Sequence, residues 1–465
     1  MLTCKKDKYY NFNKFKNNIT QTKKFCLAPF STLVFSQSGT ILPCFYNKQI
    51  DFGYYYKGID YFKLWKNSEF KTLRNRIKKK NLDFGCQICK YELDKGNYHT
   101  VYAQRYDYLT DFIKDQPINL EFQISNKCNF NCIMCTGENS SYVRNNREQG
   151  ESYNSTYDSS FPESLIPLFP KIKELAFAGG EPFLIPEYKD IIEKARSVNS
   201  NIKYSFATNG SLFKSEDFDF FKNENVDLTI SYESTVKEIF EEIRVNSNFE
   251  TVHNNLIEAN QILIRKNKTL SVKVCPLRQN IFDIPKTFLF LNSQNILVVF
   301  NTVLFPPKVA LWLLNSNSLS EIVTFLKNVK LPTPQNKIQE NNIHTYRSLI
   351  NQISNWYQEA IVREDLLRKD RLAYNDILSK FMQKTKDYLA YYSVDMRDEN
   401  SISAIPNVLS QIEDNNVRLK CLLYLNYLPI HYIISEINFR SKSKMADRIM
   451  QIAHDFSNLK LEIYG

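Results

Sequence analysis

The chain has 465 residues, 43% hydrophobic and 14% aromatic, which is enough for a substantial core and for two or three domains. Its net charge of +10 is unevenly placed: residues 1–100 hold 19 Lys and Arg against 7 Asp and Glu, and the remainder sums to −2. Ten Cys with no apolar leader after the basic start argue against a disulfide framework and predict a reduced, cytoplasmic setting with metal ligands.

Four Cys stand in the basic first region. Cys26, twelve residues, Gly39, four residues and Cys44 fit a β-hairpin with strands Thr32–Phe35 and Thr40–Leu42 and a turn at Ser38-Gly39, which brings Cys26 and Cys44 together. A helical stretch, Tyr61–Lys79, follows, and Arg74–Lys80 reads as its exposed end. Cys86 and Cys89 then form a C-x2-C whose thiolates face the same way across a turn. Four such thiolates also satisfy a structural zinc, so a Cys4 zinc ribbon stays open here. The positive surplus suits an acidic electron donor, an acidic peptide or nucleic acid, and equally a solvated Lys-rich surface. Tyr9, Tyr10, Phe12 and Phe15 interleave with Lys as single-strand stacking requires, but no RNP-like or helix-turn-helix pattern accompanies them.

After the apolar run Ile118–Ile124 comes the densest signal in the chain. Cys128, Cys132 and Cys135 form a C-x3-C-x2-C, able to grip three corners of an iron–sulfur cube and leave one iron open. Zinc also takes Cys at short spacings, yet it wants four ligands, and the nearest further candidates are His99 and Cys89. Beyond a polar segment, Glu138–Ser160, that reads as a loop or lid over the site, Ala178-Gly-Gly-Glu-Pro182 closes the next apolar run. Gly179 and Gly180 alone are compatible with a mere tight turn.

From residue 117 strand-like runs at 118–124, 173–178, 202–207, 227–232, 270–277 and 295–304 alternate with helical patterns at 187–196, 215–223, 248–265 and 281–291. That alternation predicts a parallel sheet with right-handed crossovers. The Cys triad, Gly179–Pro182, Thr208–Gly210 and Ser231–Ser234 all fall at C-terminal strand ends, where such folds place their chemistry. Ile296–Leu314 is broken by Asn301, Pro306-Pro307 and Lys308 and reads as a buried strand running into a loop, so no membrane span is expected. Past about residue 311 the pattern turns helical and aromatic, with loops near Leu331–Asn336 and Asp398–Ser403. Cys275 and Cys421 read as small core residues. Cys4, near the start, is a minor candidate for an extra ligand.

The Cys triad followed by Ala178-Gly-Gly-Glu-Pro182 resembles the radical S-adenosylmethionine (radical SAM) superfamily. The earlier set, Cys26, Cys44, Cys86 and Cys89 with Phe62–Phe70 between its pairs, resembles the SPASM or twitch auxiliary-cluster module, although that module more often follows the barrel than precedes it. Tyr388–Arg397 and Pro406–Leu409 are similar to the tail of twitch-bearing members. These resemblances imply an α/β fold: a partial (β/α)6 TIM-type barrel at 117–310, an N-terminal Cys-rich β-hairpin/helix module at 1–116 and a helical extension at 311–465. They imply a [4Fe–4S] cluster on Cys128, Cys132 and Cys135 that chelates SAM, cleaves it reductively and abstracts a hydrogen atom through a 5′-deoxyadenosyl radical. They also imply a second [4Fe–4S] cluster on the N-terminal four. Gly179 and Gly180 would let the backbone approach SAM, Glu181 would meet its ammonium, Asn209 and Ser231 would bond ribose or carboxylate, and Arg244 would pair with the SAM carboxylate. Met134 stands where an aromatic is usual and can still pack on adenine. The expected activity is modification of a peptide or protein, with a flavodoxin- or ferredoxin-type electron donor. A small-molecule or nucleoside/tRNA modifier and a non-catalytic zinc-binding interaction protein are the alternatives.

Overall fold

The computed structural model describes residues 5–17, 24–95, 98, 101–369, 374–392, 400–430, 432–434 and 442–458; Cys4 and His99 lie outside them. One sheet organises the chain. Its strands are β1 (Thr32–Ser36), β2 (Ile41–Leu42), β3 (Asn119–Gln123), β4 (Glu174–Phe177), β5 (Lys203–Thr208), β6 (Asn225–Ser231), β7 (Ser271–Val274) and β8 (Leu297–Phe300), in the order β2-β1-β3-β4-β5-β6-β7-β8. β1 and β3 to β8 run parallel, and only β2 is antiparallel to its neighbour. The six expected core strands are therefore present, each within a few residues of its predicted bounds, and the partial barrel stays open because β8 does not return to β2.

The N-terminal hairpin forms as expected, but it extends the barrel sheet. β1 pairs with β3 along its whole length, Thr32 opposite Asn119 through Ser36 opposite Gln123. This register aligns Phe35, Phe122, Phe177 and Phe206 on adjacent strands, and their rings stack in sequence at centroid separations of 5.2, 5.3 and 5.2 Å. Such cross-strand aromatic pairs pin the register of a sheet, since a slip of one residue would turn every ring to the other face. The residues before and after position 117 thus share one core.

Local chemistry explains where the elements differ from expectation. The stretch 61–79 is two helices, Tyr61–Trp65 and Ser68–Lys78, because the Asn67 side chain accepts from Phe70 N and restarts the helix as a cap. Arg74, expected in an exposed helix end, is half-buried: it donates to the Pro29 and Trp65 carbonyls at 2.7 Å each and lies over the Trp65 ring. The segment 138–160, expected as a loop or lid, runs as a strap along the molecule. It contains a π-turn at Val143–Arg147, and the buried Tyr157 donates to Ser36 O at 2.7 Å.

The helix Lys337–Lys369 covers the open edge at β8. Its buried Asn342 accepts from Val298 N and donates to Ile296 O, both at 2.8 Å, and so occupies edge groups that would otherwise invite another strand. A second core begins with Ala310, Trp312 and Leu313 and is built mainly from Ile377 onward. The loop at 331–336 is present, whereas the one expected at Asp398–Ser403 is helical from Asn400. Residues 393–397 of the twitch-like tail lie outside the described residues. None of the described helices is long and apolar enough to cross a membrane.

Candidate functional site

The Cys triad leaves the end of β3 as an irregular loop whose backbone is held at nearly every residue. Ser141 Oγ accepts from Cys128 N at 3.1 Å, Ser140 Oγ donates to Phe130 O at 2.8 Å, and the buried Asn126 donates to Gly137 O at 2.8 Å. Arg147, from the strap, donates to Cys132 O at 3.0 Å and also to Cys135 O. On the opposite side the loop forms a short ladder with residues 243–246: Asn131 N to Val245 O, Ile133 N to Ile243 O, and Asn246 Nδ2 to Asn129 O, at 2.9, 3.0 and 2.7 Å.

The glycine motif forms the third wall. Gly180 N donates to Ser125 O at 3.0 Å and Glu181 N to Lys127 O at 2.7 Å. A Cβ on Gly180 would overlap the Lys127 carbonyl, and one on Gly179, which has φ +128°, would sit 2.7 Å from Ser125 O. The glycines are therefore required by the approach of the Cys loop itself, a reason the sequence reading assigned to SAM. Glu181 is fully buried and turned toward β5, accepting from Thr208 Oγ1 at 2.6 Å and Asn209 N at 2.7 Å. Burial pushes its carboxyl up to about 7 against these donors.

Asn209 is buried at the end of β5, bonding Asn129 Oδ1 of the Cys loop at 2.9 Å and accepting from Ser211. Ser231 ends β6, half-buried. Arg244 departs from expectation. Its fork is committed to the fully buried Glu233, Nε to Oε2 at 2.5 Å and Nη2 to Oε1 at 2.7 Å, while Nη1 reaches Cys132 Sγ at 3.5 Å. A bidentate carboxylate partner is already in place, so the two donors that were to clasp the SAM carboxylate are occupied. Glu233, Arg147 and Asn126 were missed by sequence reading, because nothing in their spacing marks them as neighbours of the Cys loop.

The chemistry of the thiols fits a cluster that needs thiolates. Burial raises Cys128, pushes Cys132 up to about 11 and Cys135 up to about 12; Cys128 adds to the shift at Cys132, both add to it at Cys135, and Arg244 opposes the shift at all three. Positive iron is the charge that buried, mutually repelling thiolates lack. Among the described residues no three His, Cys, Asp or Glu side chains converge on a point that one metal ion would fill. Beside Cys135 lies an open cavity of about 680 Å³ whose other walls include Arg147 and Glu148 of the strap, Lys308, and His454 and Asp455 of the helix Lys442–Asn458. Its size is that of a small-molecule or peptide-segment site.

The N-terminal four are also gathered. Cys26, Cys44, Cys86 and Cys89 line one small cavity with Tyr46, Tyr102 and Tyr106. Burial raises all four thiols, Cys44 to about 12 and Cys89 to about 11. The buried Lys16 anchors this region through Asp107 at 2.6 Å and the Phe25 carbonyl at 3.1 Å. Cys275, beyond β7, is buried as expected, but it lies within the field of Arg244, Glu233 and Cys132. Cys421 is buried in the helix Asn415–Tyr427.

Comparison with known proteins gives this arrangement its context. Residues 122–291 match the family model described as "Radical SAM superfamily". A cysteine-type anaerobic sulfatase-maturating enzyme of Clostridium novyi (strain NT) is 29% identical over 125 residues, 26% of this chain and 33% of the relative. Among solved structures, anSMEcpe with bound AdoMet is 18% identical, covers 45% of this chain and 58% of its own, and has a TM-score of 0.34. Streptococcus suis SuiB bound to precursor peptide SuiA is 13% identical, with 56% and 58% covered and a TM-score of 0.34. The chain thus spans about a third of the curated relative and less than two thirds of these structures. The matched segment, residues 122–291, contains the Cys triad, the glycine motif and the Glu233–Arg244 pair.

Proposed function

We propose that the protein is a radical SAM enzyme that modifies a peptide or protein. The observation that carries this reading is the Cys loop clamped at the C-terminal strand ends by the glycine motif, the strap and residues 243–246, with an open cavity beside Cys135. When bound at Cys128, Cys132 and Cys135, an iron–sulfur cluster with SAM supplies one electron to the sulfonium and a 5′-deoxyadenosyl radical. The residues of this chain hold the thiols, fix the loop and exclude water around them; Glu181 and Asn209 join its walls and Met134 packs against the core.

A second [4Fe–4S] cluster at Cys26, Cys44, Cys86 and Cys89 is part of the proposal. Four thiols lining one cavity supply the ligand set that such a cluster takes. The peptide substrate is supported by the relative that matures sulfatases and by a cavity wide enough for a chain segment. The electron would come from a flavodoxin- or ferredoxin-type donor, for which the basic first hundred residues offer a surface.

The test is metal content and SAM cleavage on protein purified without oxygen. About eight irons per chain with reductant-dependent 5′-deoxyadenosine support both clusters, and about four irons with the same cleavage leave only the triad. Zinc alone with SAM untouched refutes the enzyme and favours an interaction protein. Peptides encoded beside the gene, incubated with the loaded enzyme, should change mass; turnover of a nucleoside instead would overturn the peptide assignment.

A further inference from the structure

We infer that Arg244 and Glu233 form a buried charge pair that sets the reduction potential of the cluster on the triad, with Arg244 acting as a positioning residue through the Cys132 sulfur. This rests on the proposed cluster at Cys128, Cys132 and Cys135. Three observations carry it. Arg244 Nη1 lies 3.5 Å from Cys132 Sγ, a hydrogen bond aimed at a ligand sulfur. The backbone fixes that aim, because the flanking residues Ile243 and Val245 are the ones that accept from Ile133 N and Asn131 N on either side of Cys132. The other two guanidinium edges are held by Glu233, whose side chain is fully buried while that of Arg244 is 11% exposed.

The physics then has a definite sign. Reduction adds an electron to a group already carrying thiolate charge, and a guanidinium donating to one of its sulfurs favours the reduced form. Glu233 moderates that effect, because its negative charge sits against the same guanidinium in a region where solvent screens little. The charged and titratable groups around the pair include the three triad thiols, Cys275 and Glu181. Arg147 is a further cation at the loop, and it donates to the Cys132 and Cys135 carbonyls, whereas Arg244 reaches a sulfur. A pair that served only to hold the loop would be expected to affect stability and iron loading, with the potential unchanged.

The experiment is a reductive titration of the anaerobically loaded full-length protein with a low-potential chemical reductant, followed by electron paramagnetic resonance. The triad cluster is recognised by the change in its signal on adding SAM. Arg244→Gln should lower the midpoint and Glu233→Gln should raise it, each by at least a tenfold change in the one-electron equilibrium, about 59 mV. The opposite signs are the signature. Where Arg244→Gln fails to fold, the double variant carrying both Gln substitutions removes both charges together, and its midpoint should still fall below that of the native protein. Shifts of the same sign, or native midpoints at native iron content, would overturn the inference. Failure of the native protein to load iron would instead overturn the proposed cluster.

Discussion

Gly180→Ala tests whether the glycine motif is shaped by the Cys loop. Gly180 has an ordinary backbone conformation, so Ala there suffers no left-handed strain, and its whole cost comes from contact. The added methyl would sit 2.5 Å from the carbonyl carbons of Asn126 and Lys127, so the loop must retreat by roughly 1 Å to reach normal separation. Overpacking of this kind costs about 1–3 kcal/mol. The retreat also stretches Gly180 N to Ser125 O and Glu181 N to Lys127 O, each worth about 1 kcal/mol. Together these give a loss of about 3–5 kcal/mol, felt at the residues leading into Cys128. The comparator is Gly58→Ala, where φ is +86° and nothing lies within 4 Å, so only backbone strain of about 1–2 kcal/mol applies. Urea unfolding and iron retained after anaerobic gel filtration are the readouts. Gly180→Ala should be the less stable of the two and lose triad iron, while Gly58→Ala keeps its iron. Native iron loading in Gly180→Ala, with stability at or above that of Gly58→Ala, would refute the reasoning.

Other outcomes follow from the same geometry. Burial raises the Glu181 carboxyl from 4.5 to about 7, so between those values the native state keeps a proton that the unfolded chain has released. Stability of the cofactor-free protein should therefore fall as pH rises through that window, by about 3 kcal/mol in all, and Glu181→Gln should flatten the slope in urea unfolding at about pH 5 and about pH 8. Changing Cys86 and Cys89 together to Ala should remove about half the bound iron and leave reductant-dependent SAM cleavage, whereas changing Cys132 and Cys135 should abolish cleavage. Asn342→Ala strands the buried Val298 N–H and Ile296 carbonyl at the sheet edge, and denaturant unfolding should show a loss of about 3 kcal/mol.

Much of the barrel was legible because its strands are short apolar runs bounded by turn residues, and a parallel sheet buried on both faces writes itself into sequence that way. The helix at Ser215–Asn223 fell where the periodicity put it. The break at Asn67 was missed because a cap inside a helical pattern is visible only once the side chain is seen to accept from Phe70 N. Arg74 was misread for a related reason: a helix-surface Arg among Lys residues carries no mark of the Trp65 ring it will cover. At the site, residue type and spacing picked out the triad and the glycines. Arg147 reaches the Cys132 carbonyl from the strap, and Glu233 holds Arg244; no spacing pattern marks such pairs. Arg244 shows the limit best: its guanidinium invited a carboxylate, and the carboxylate it found was the protein's own.

The place of the second Cys set follows from the sheet. β2 runs antiparallel to β1 with Leu42 opposite Val34, so Cys44, two residues on, lies toward the Thr32 end, and Cys26 precedes that same end. β3 runs parallel to β1 with Asn119 opposite Thr32, and it delivers the triad beyond Gln123, at the other end. Four residue steps at about 3.3 Å put about 13 Å of strand between the two ends. A hairpin that precedes the barrel and joins its sheet thus fixes two thiol sets at opposite ends of the same strands. The cavity beside Cys135 is at the triad end, whereas a cluster on Cys26, Cys44, Cys86 and Cys89 would sit at the other. With all four positions taken by thiolates, that cluster would hold the N-terminal region together or pass an electron across the sheet. Iron-dependent stability in the Cys86 and Cys89 variants separates the first role from the second, which the native unfolding curve with impaired turnover would support.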